Sequence, residues 1–158
     1  MKLKVVLDPG AKMPTRAHKW DAGLDLYTPI ACTVPPAKTF VHYNEEERAF
    51  KTKAVIGSLT IDTGVHVAID EGSCGFIKSK SGLNVKHGLT AEGVIDAHYT
   101  GSIAVKLYNH TSEPYTFEAG AKVAQLVILK CDLPVPEQVY SLEETDRGNN
   151  GFGSTGLF

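Results

Sequence analysis

Most of the features that settle a protein class at a glance are missing from these 158 residues. Cysteine is scarce: Cys32, Cys74 and Cys131 are the whole set, an odd count with no Cys-x-x-Cys spacing. That argues against a disulfide scaffold and fits a reducing, intracellular and cytoplasmic setting. Each cysteine stands beside apolar residues and reads as a small buried hydrophobe. The longest unbroken apolar run is the four residues Leu126–Leu129, too short for a membrane-spanning helix. The slightly basic start, Met1–Asp8, has an apolar stretch too short and interrupted for a secretory signal. Neither charge sign dominates: 16 Lys and Arg face 18 Asp and Glu, with no basic block. A dedicated nucleic-acid or membrane-surface protein is therefore not expected. The six histidines show no H-E-x-x-H or H-x-x-x-H spacing, so no histidine metal site is expected.

Present instead are short alternating apolar segments. Leu3, Val5 and Leu7 alternate, as do Val65, Val67 and Ile69, and again Ile103, Val105 and Leu107; Ile56–Ile61 and Val123–Leu129 read the same way. Period two with β-branched residues predicts half-buried antiparallel strands. The 15 Gly and 8 Pro punctuate them, with turn signals at Asp70–Ser73, Thr100-Gly101 and Glu118–Gly120. The expected class is all-β, a sandwich or barrel. Helix is scarce. Asn44–Phe50 carries a capping-box pattern, Asn44 with Glu47, but its acidic run reads better as a solvated loop. A turn or so of helix is expected after Ser81, around Leu83–Val85.

The last segment differs in composition. From Ser141 the chain is acidic, then glycine-rich, with four glycines in the nine residues 148–156. Such a segment packs no core of its own, so residues 1–140 are expected to form the β domain and residues 141–158 a mobile arm. Glycine-dense backbone can turn several N–H groups toward one anion, Arg147 offers a bidentate phosphate fork, and Phe152 a flat ring. Elsewhere, Asp96 follows Gly93-Val94-Ile95, a position suited either to a partly desolvated general base or to a turn aspartate. Ser79-Lys80-Ser81-Gly82 sets a cation and hydroxyls at a helix start, and Asp25 lies in Ala22-Gly23-Leu24-Asp25-Leu26.

In order, these segments resemble the five motifs of the trimeric dUTPases: Asp21–Tyr27, Lys78–Leu83, Gly93–Gly101, Lys122–Leu126 and Arg147–Gly156. Any one is weak; five in sequence along nearly the whole chain are specific. The resemblance implies a jelly-roll-like β domain that forms homotrimers with active sites between subunits, closed by the C-terminal arm. It implies hydrolysis of dUTP to dUMP and pyrophosphate with Mg2+, which keeps uracil out of DNA and supplies dUMP for dTMP synthesis. Asp96 matches the residue that deprotonates the attacking water, and Tyr99 the ring packed on the deoxyribose. The backbone around Gly93, Val94 and Ile95 matches the uracil pocket, with Thr90 on the same hairpin at a position where the family varies. Lys80, Ser81, Gly82 and Gln125 match phosphate-binding positions, and Asp25 an aspartate acting on the metal through water. Arg147, Ser154 and Thr155 match the groups that clamp the triphosphate; Phe152 and Gly153 match the cover over the base.

Three departures stand out. Lys80 occupies a position where the family commonly has Arg, giving a point charge in place of a fork. Asn149-Asn150 replaces smaller residues in the arm. The stretch from Ala37 to Ser58 is longer than usual and reads as a surface excursion. Two rivals share the fold. A dCTP deaminase would need a carboxylate near the pyrimidine where this chain has Lys106. A non-catalytic dUTPase-fold regulator would not need Asp96 or the arm, and both are present. A β-sandwich carbohydrate or protein binder explains the strands but not the ordered motifs.

Overall fold

The computed structural model describes residues 2–150. The chain runs β1 (Lys4–Leu7), β2 (Gly23–Tyr27), β3 (Cys32–Val34), β4 (Lys38–Asn44), β5 (Ala49–Val55), β6 (Gly57–Asp62), β7 (Val65–Ala68), β8 (Ser73–Lys78), α1 (Ser81–His87), β9 (Leu89–Ile95), β10 (Ala104–Asn109), β11 (Tyr115–Phe117) and β12 (Lys122–Lys130). The strands expected from alternation are all there, and the class is all-β of jelly-roll type. No helix among the described residues is long and apolar enough to cross a membrane.

Six strands form the main sheet in the order β2-β12-β8-β9-β10-β6, every pair antiparallel. Three two-stranded ribbons, β1-β7, β3-β11 and β4-β5, complete the layers. Because side chains alternate across a strand, every second residue of β8 and β10 enters the core. Leu26, Ile77, Val105, Leu107, Val123 and Leu126 are all buried there, with Val65 and Leu89 beside them. Full burial of each such side chain stabilises the fold by about 1.5–3 kcal/mol.

Among the described residues there is one helix, seven residues long, beginning just beyond the end of β8. Lys80 sits at its N-cap with extended backbone and no side-chain cap, so the first N–H groups face outward unpaired by Lys80's side chain. Gly88 ends it in the left-handed region, φ 59°, returning its N–H to the Asn84 carbonyl.

The excursion is a β-hairpin. The acidic run Glu45–Glu47 makes its turn rather than a helix: Asn44 Oδ1 accepts from the Glu47 N–H at 2.9 Å, the capping contact without the helix. Phe40, Val41 and Tyr43 on one strand and Phe50 on the other favour pleated pairing over helix, and Tyr43 and Phe50 pack edge to face. Its neck is closed. A Cβ on Gly57 would lie 1.9 Å from the Pro35 carbonyl oxygen, so the outgoing strand rests directly on the incoming backbone. The three cysteines are half-buried, not buried as their neighbours suggested, because each lies at or near a strand end where the sheet opens to solvent.

Candidate functional site

Asp25 anchors the first half of the site. It is 5 % exposed, in the middle of β2. Its Oδ1 accepts from Lys80 Nζ at 2.5 Å and its Oδ2 from Lys122 Nζ at 2.6 Å. Burial pushes the Asp25 carboxyl up, but the hydrogen bonds from Lys122 and Lys80 outweigh it, and the group is held below the ordinary carboxylate range. Lys122 is correspondingly raised by its bond to Asp25. Gln125 stands directly across from Asp25 in the β2–β12 register. Its Nε2 donates to the Ser79 carbonyl at 3.0 Å, and its Oε1 lies so close to Gly23 that a Cβ there would be 2.1 Å away. Gly23 is thus what lets Gln125 lie flat across the strand. Asp25, Lys80, Gln125, Lys78 and Gly23 line one open cleft of about 330 Å³.

Lys122 owes its place to a bulge. The β2–β12 register shifts between Lys122 and Ala124, so Lys122 opposes Tyr27. Tyr27 shares a face with Asp25; without the extra residue Lys122 would point to the opposite side of the sheet. Sequence reasoning picked Gln125 from this segment and missed Lys122. The signal available was its position three residues before Gln125, but a bulge is invisible to periodicity.

Beyond Lys80, Ser81 and Gly82 open α1, both exposed, with no heavy atom within 4 Å of where a Gly82 Cβ would stand. Ser79 ties this turn to β9: its Oγ accepts from the Ala91 N–H at 2.9 Å. Cations, hydroxyls and free N–H groups together make a surface suited to phosphate oxygens.

The second half lies on β9. Its ladder with β8 runs from Glu92 to Ile95, while its ladder with β10 stops at Ala91. β10 continues from Ala104 to Lys106 paired to β6 alone. The two strands therefore splay, and the backbone of Glu92, Gly93, Val94 and Ile95 has no ladder partner on the β10 side. Thr90 sits at the fork, bonded to His110 Nε2 at 2.8 Å. Past Ile95 the chain turns: Tyr99 N–H donates to the Asp96 carbonyl at 3.2 Å, with His98 left-handed at φ 68°. Asp96 is exposed, not partly desolvated, since the turn projects beyond the sheet. Tyr99 lies against Gly101, where a Cβ would meet its hydroxyl at 2.5 Å, and donates to the Ser102 carbonyl at 3.0 Å.

A single chain does not join these halves. Lys80 follows one end of β8 and Asp96 falls opposite Cys74 near the other, about 20 Å apart along the strand. Arg147 belongs to neither: its Nε donates to the Asn150 carbonyl at 3.3 Å within an exposed turn. Phe152, Gly153, Ser154 and Thr155 lie outside the described residues. Among the described residues no three His, Cys, Asp or Glu side chains gather as a metal cage.

In sequence and in fold the chain is similar to known proteins. A family model described as dUTPase matches residues 44–156. The deoxyuridine 5'-triphosphate nucleotidohydrolase of Corynebacterium efficiens is 38 % identical over 154 residues, covering 95 % of this chain and 75 % of that protein. That of Yarrowia lipolytica is 37 % identical over 161 residues, covering 99 % and 90 %. Among solved structures, the Staphylococcus bacteriophage 80alpha dUTPase with dUPNHPP superposes with a TM-score of 0.79 at 30 % identity, covering 99 % of each chain. A mutant dUTPase from phage phi11 of S. aureus, described as coordinating a structural Mg(II) ion, gives 0.70 at 27 % identity, covering 91 % of this chain and 100 % of that one. The chain belongs to the dUTPase family.

Proposed function

We propose that this member of the dUTPase family hydrolyses dUTP to dUMP and pyrophosphate, in the cytoplasm, keeping uracil out of DNA and supplying dUMP for dTMP synthesis. The observation that carries the reading is the open backbone edge of Glu92–Ile95 running straight into Asp96. A strand edge presents fixed N–H donors and C=O acceptors, which can pair with the edge of one pyrimidine and leave the wrong one with unpaired groups. A slot closed on both sides by strands discriminates against the extra methyl of thymine by about 1–3 kcal/mol.

Asp96 then lies where the nucleoside emerges. Its carboxylate takes a proton from the water that attacks the α-phosphorus; the bond to the bridging oxygen breaks, and pyrophosphate leaves. Such a reaction asks for in-line positioning and charge neutralisation more than for covalent help. Tyr99, held by Gly101 and Ser102, supplies a flat wall for the deoxyribose. Lys80, Ser81 and Gly82 take the phosphates, with Gln125 beside them. Arg147, Ser154 and Thr155 of the arm add donors to the triphosphate, and Phe152 and Gly153 cover the base.

Mg2+ fits this donor set. It favours hard oxygens and keeps most of its waters, leaving the triphosphate as its main ligand. Both Asp25 oxygens already accept from lysines, so Asp25 would hold the ion through water, using its remaining lone pairs, with Gln125 Oε1 as a second hard acceptor. When bound, the ion neutralises phosphate charge.

The separation of Asp96 from Lys80 supports a site completed by a second copy of the chain, within a homotrimer. The deaminase reading is disfavoured by Lys106, whose ammonium lies 5.2 Å from the Tyr108 ring centroid and offers no carboxylate. The deciding experiment is product analysis with Mg2+ and a panel of dUTP, dCTP, dTTP and UTP. dUMP and pyrophosphate from dUTP alone are expected. Deamination of dCTP, or no turnover at all, would overturn the reading.

A further inference from the structure

Two of the three cysteines are neighbours across adjacent strands. In the β8–β12 ladder Cys74 opposes Leu129, and Lys130 opposes Ser73; one step on, the Cys131 N–H donates to the Gly72 carbonyl at 3.1 Å. Cys131 is therefore two residues past the partner of Cys74, on the same face of neighbouring strands. The two side chains are diagonal neighbours on that face, near enough for Cys131 to raise the Cys74 thiol. Cys32 lies apart, at the start of β3 in another sheet, with its sulfur 3.7 Å from Thr28 Oγ1.

The third neighbour of Cys74 is Asp96. Gly75 opposes Ile95 in the β8–β9 ladder, so the next step outward sets Cys74 beside Asp96. Cys74 is thus flanked by a carboxylate on one strand and a second thiol on the other. Both thiols are half-exposed at the open end of the sheet, where the chain leaves β12 for its C-terminal segment.

We propose that Cys74 and Cys131 are a reversible disulfide site, closed by low-molecular-weight disulfides, that staples the exit of β12 to β8 and is electrostatically coupled to Asp96. The chemistry balances. One protein thiolate attacks a sulfur of the small disulfide, forming a mixed disulfide and expelling one small thiol. The second protein thiolate attacks the protein sulfur of that mixed disulfide and expels the other small thiol. The protein loses two protons and two electrons, and the small disulfide is reduced to two thiols. Desolvation, Cys131 and the charge of Asp96 all raise the Cys74 thiol above its ordinary range, which keeps it protonated and slow. Neutralising Asp96 relieves part of that brake.

The test takes the full-length reduced protein, exposes it to oxidised glutathione, quenches with acid, and reads intact mass and non-reduced peptides. The expected product is lighter by two hydrogens, joins the peptide containing Cys74 to that containing Cys131 within one chain, leaves Cys32 free, and reverts with a thiol reductant. Cys74→Ser and Cys131→Ser are each expected to stop as a glutathione adduct. Stable adducts on both thiols of the unaltered protein, or linkage through Cys32 or between chains, would overturn the site. Asp96→Asn is expected to close a few-fold faster, since thiolate fraction gains more than nucleophilicity loses when a thiol pKa falls. Equal closing rates would overturn the coupling. None of these readouts depends on turnover, so they stand or fall separately from the hydrolase reading.

Discussion

Lys122 Nζ reaches Asp25 Oδ2 at 2.6 Å only because β12 carries an extra residue between Lys122 and Ala124. The bulge turns one lysine to the face where Lys80 already holds the other carboxylate oxygen. A buried aspartate with two lysines is compensated charge; with one it is much less so.

Lys122→Met is accordingly expected to raise the Asp25 carboxyl toward its ordinary range. A carboxylate lowered by folding contributes stability at pH above its unfolded value, and that contribution is lost as pH falls through the folded value. The acid unfolding limb of the variant should therefore start at higher pH than that of the unaltered protein. Denaturant unfolding followed from pH 7 to pH 2 checks this; coincident acid limbs would mean that Lys122 does not set the Asp25 charge.

Asp96→Asn is expected to lower kcat by about 10²–10⁴, the usual worth of a positioned base. Affinity for a non-hydrolysable dUTP analogue should change little, because Asn keeps the shape and one acceptor. Parallel calorimetry and turnover measurements decide it, and a variant with near-native kcat would remove Asp96 from the role of base.

The β4–β5 hairpin should be dispensable for folding. Its contacts are mostly its own, and Pro36 and Gly57 meet at its neck. Replacing residues 38–55 by a two-glycine link is expected to leave the melting temperature and dUTP turnover near those of the full chain. Gly57→Ala, by contrast, should destabilise strongly, since the added methyl would press on the Pro35 carbonyl 1.9 Å away. Thermal melts of the two variants separate a removable insertion from a structural one.

Truncation after Asp146 removes Arg147 and the glycine-rich end. A folded protein of unchanged oligomeric state, with most turnover lost, is expected. Light scattering with activity measurements reads both, and loss of assembly would make the arm structural rather than catalytic.

Much of the architecture was legible in the residues. Val65, Val105 and Leu107 alternate because they face one core, and α1 follows Ser81 as expected. The excursion was located and its acidic run read as a loop, which the Asn44–Glu47 turn bears out, but the two strands of the hairpin around it were not foreseen. Asp25, Lys80 and Gln125, singled out from three separate segments, line one cleft. Lys122 was missed because a bulge reverses its face without changing the pattern. For Asp96 the segment left open a partly desolvated base and a turn aspartate; its apolar neighbours say nothing about a turn that overhangs the sheet, and the residue is exposed. The approach of Cys131 to Cys74 spans 57 residues of chain and follows from register.

The length of β8 has a genetic corollary. With Lys80 past one end and Asp96 beside the other, each chain of the proposed homotrimer would lend one half to one site and the other half to a different one. A population of Lys80→Met chains and a population of Asp96→Asn chains, each inert, should regain hydrolysis when unfolded together and reassembled, because mixed assemblies contain sites drawn wholly from intact halves. Two broken copies of one gene would then complement each other in a cell.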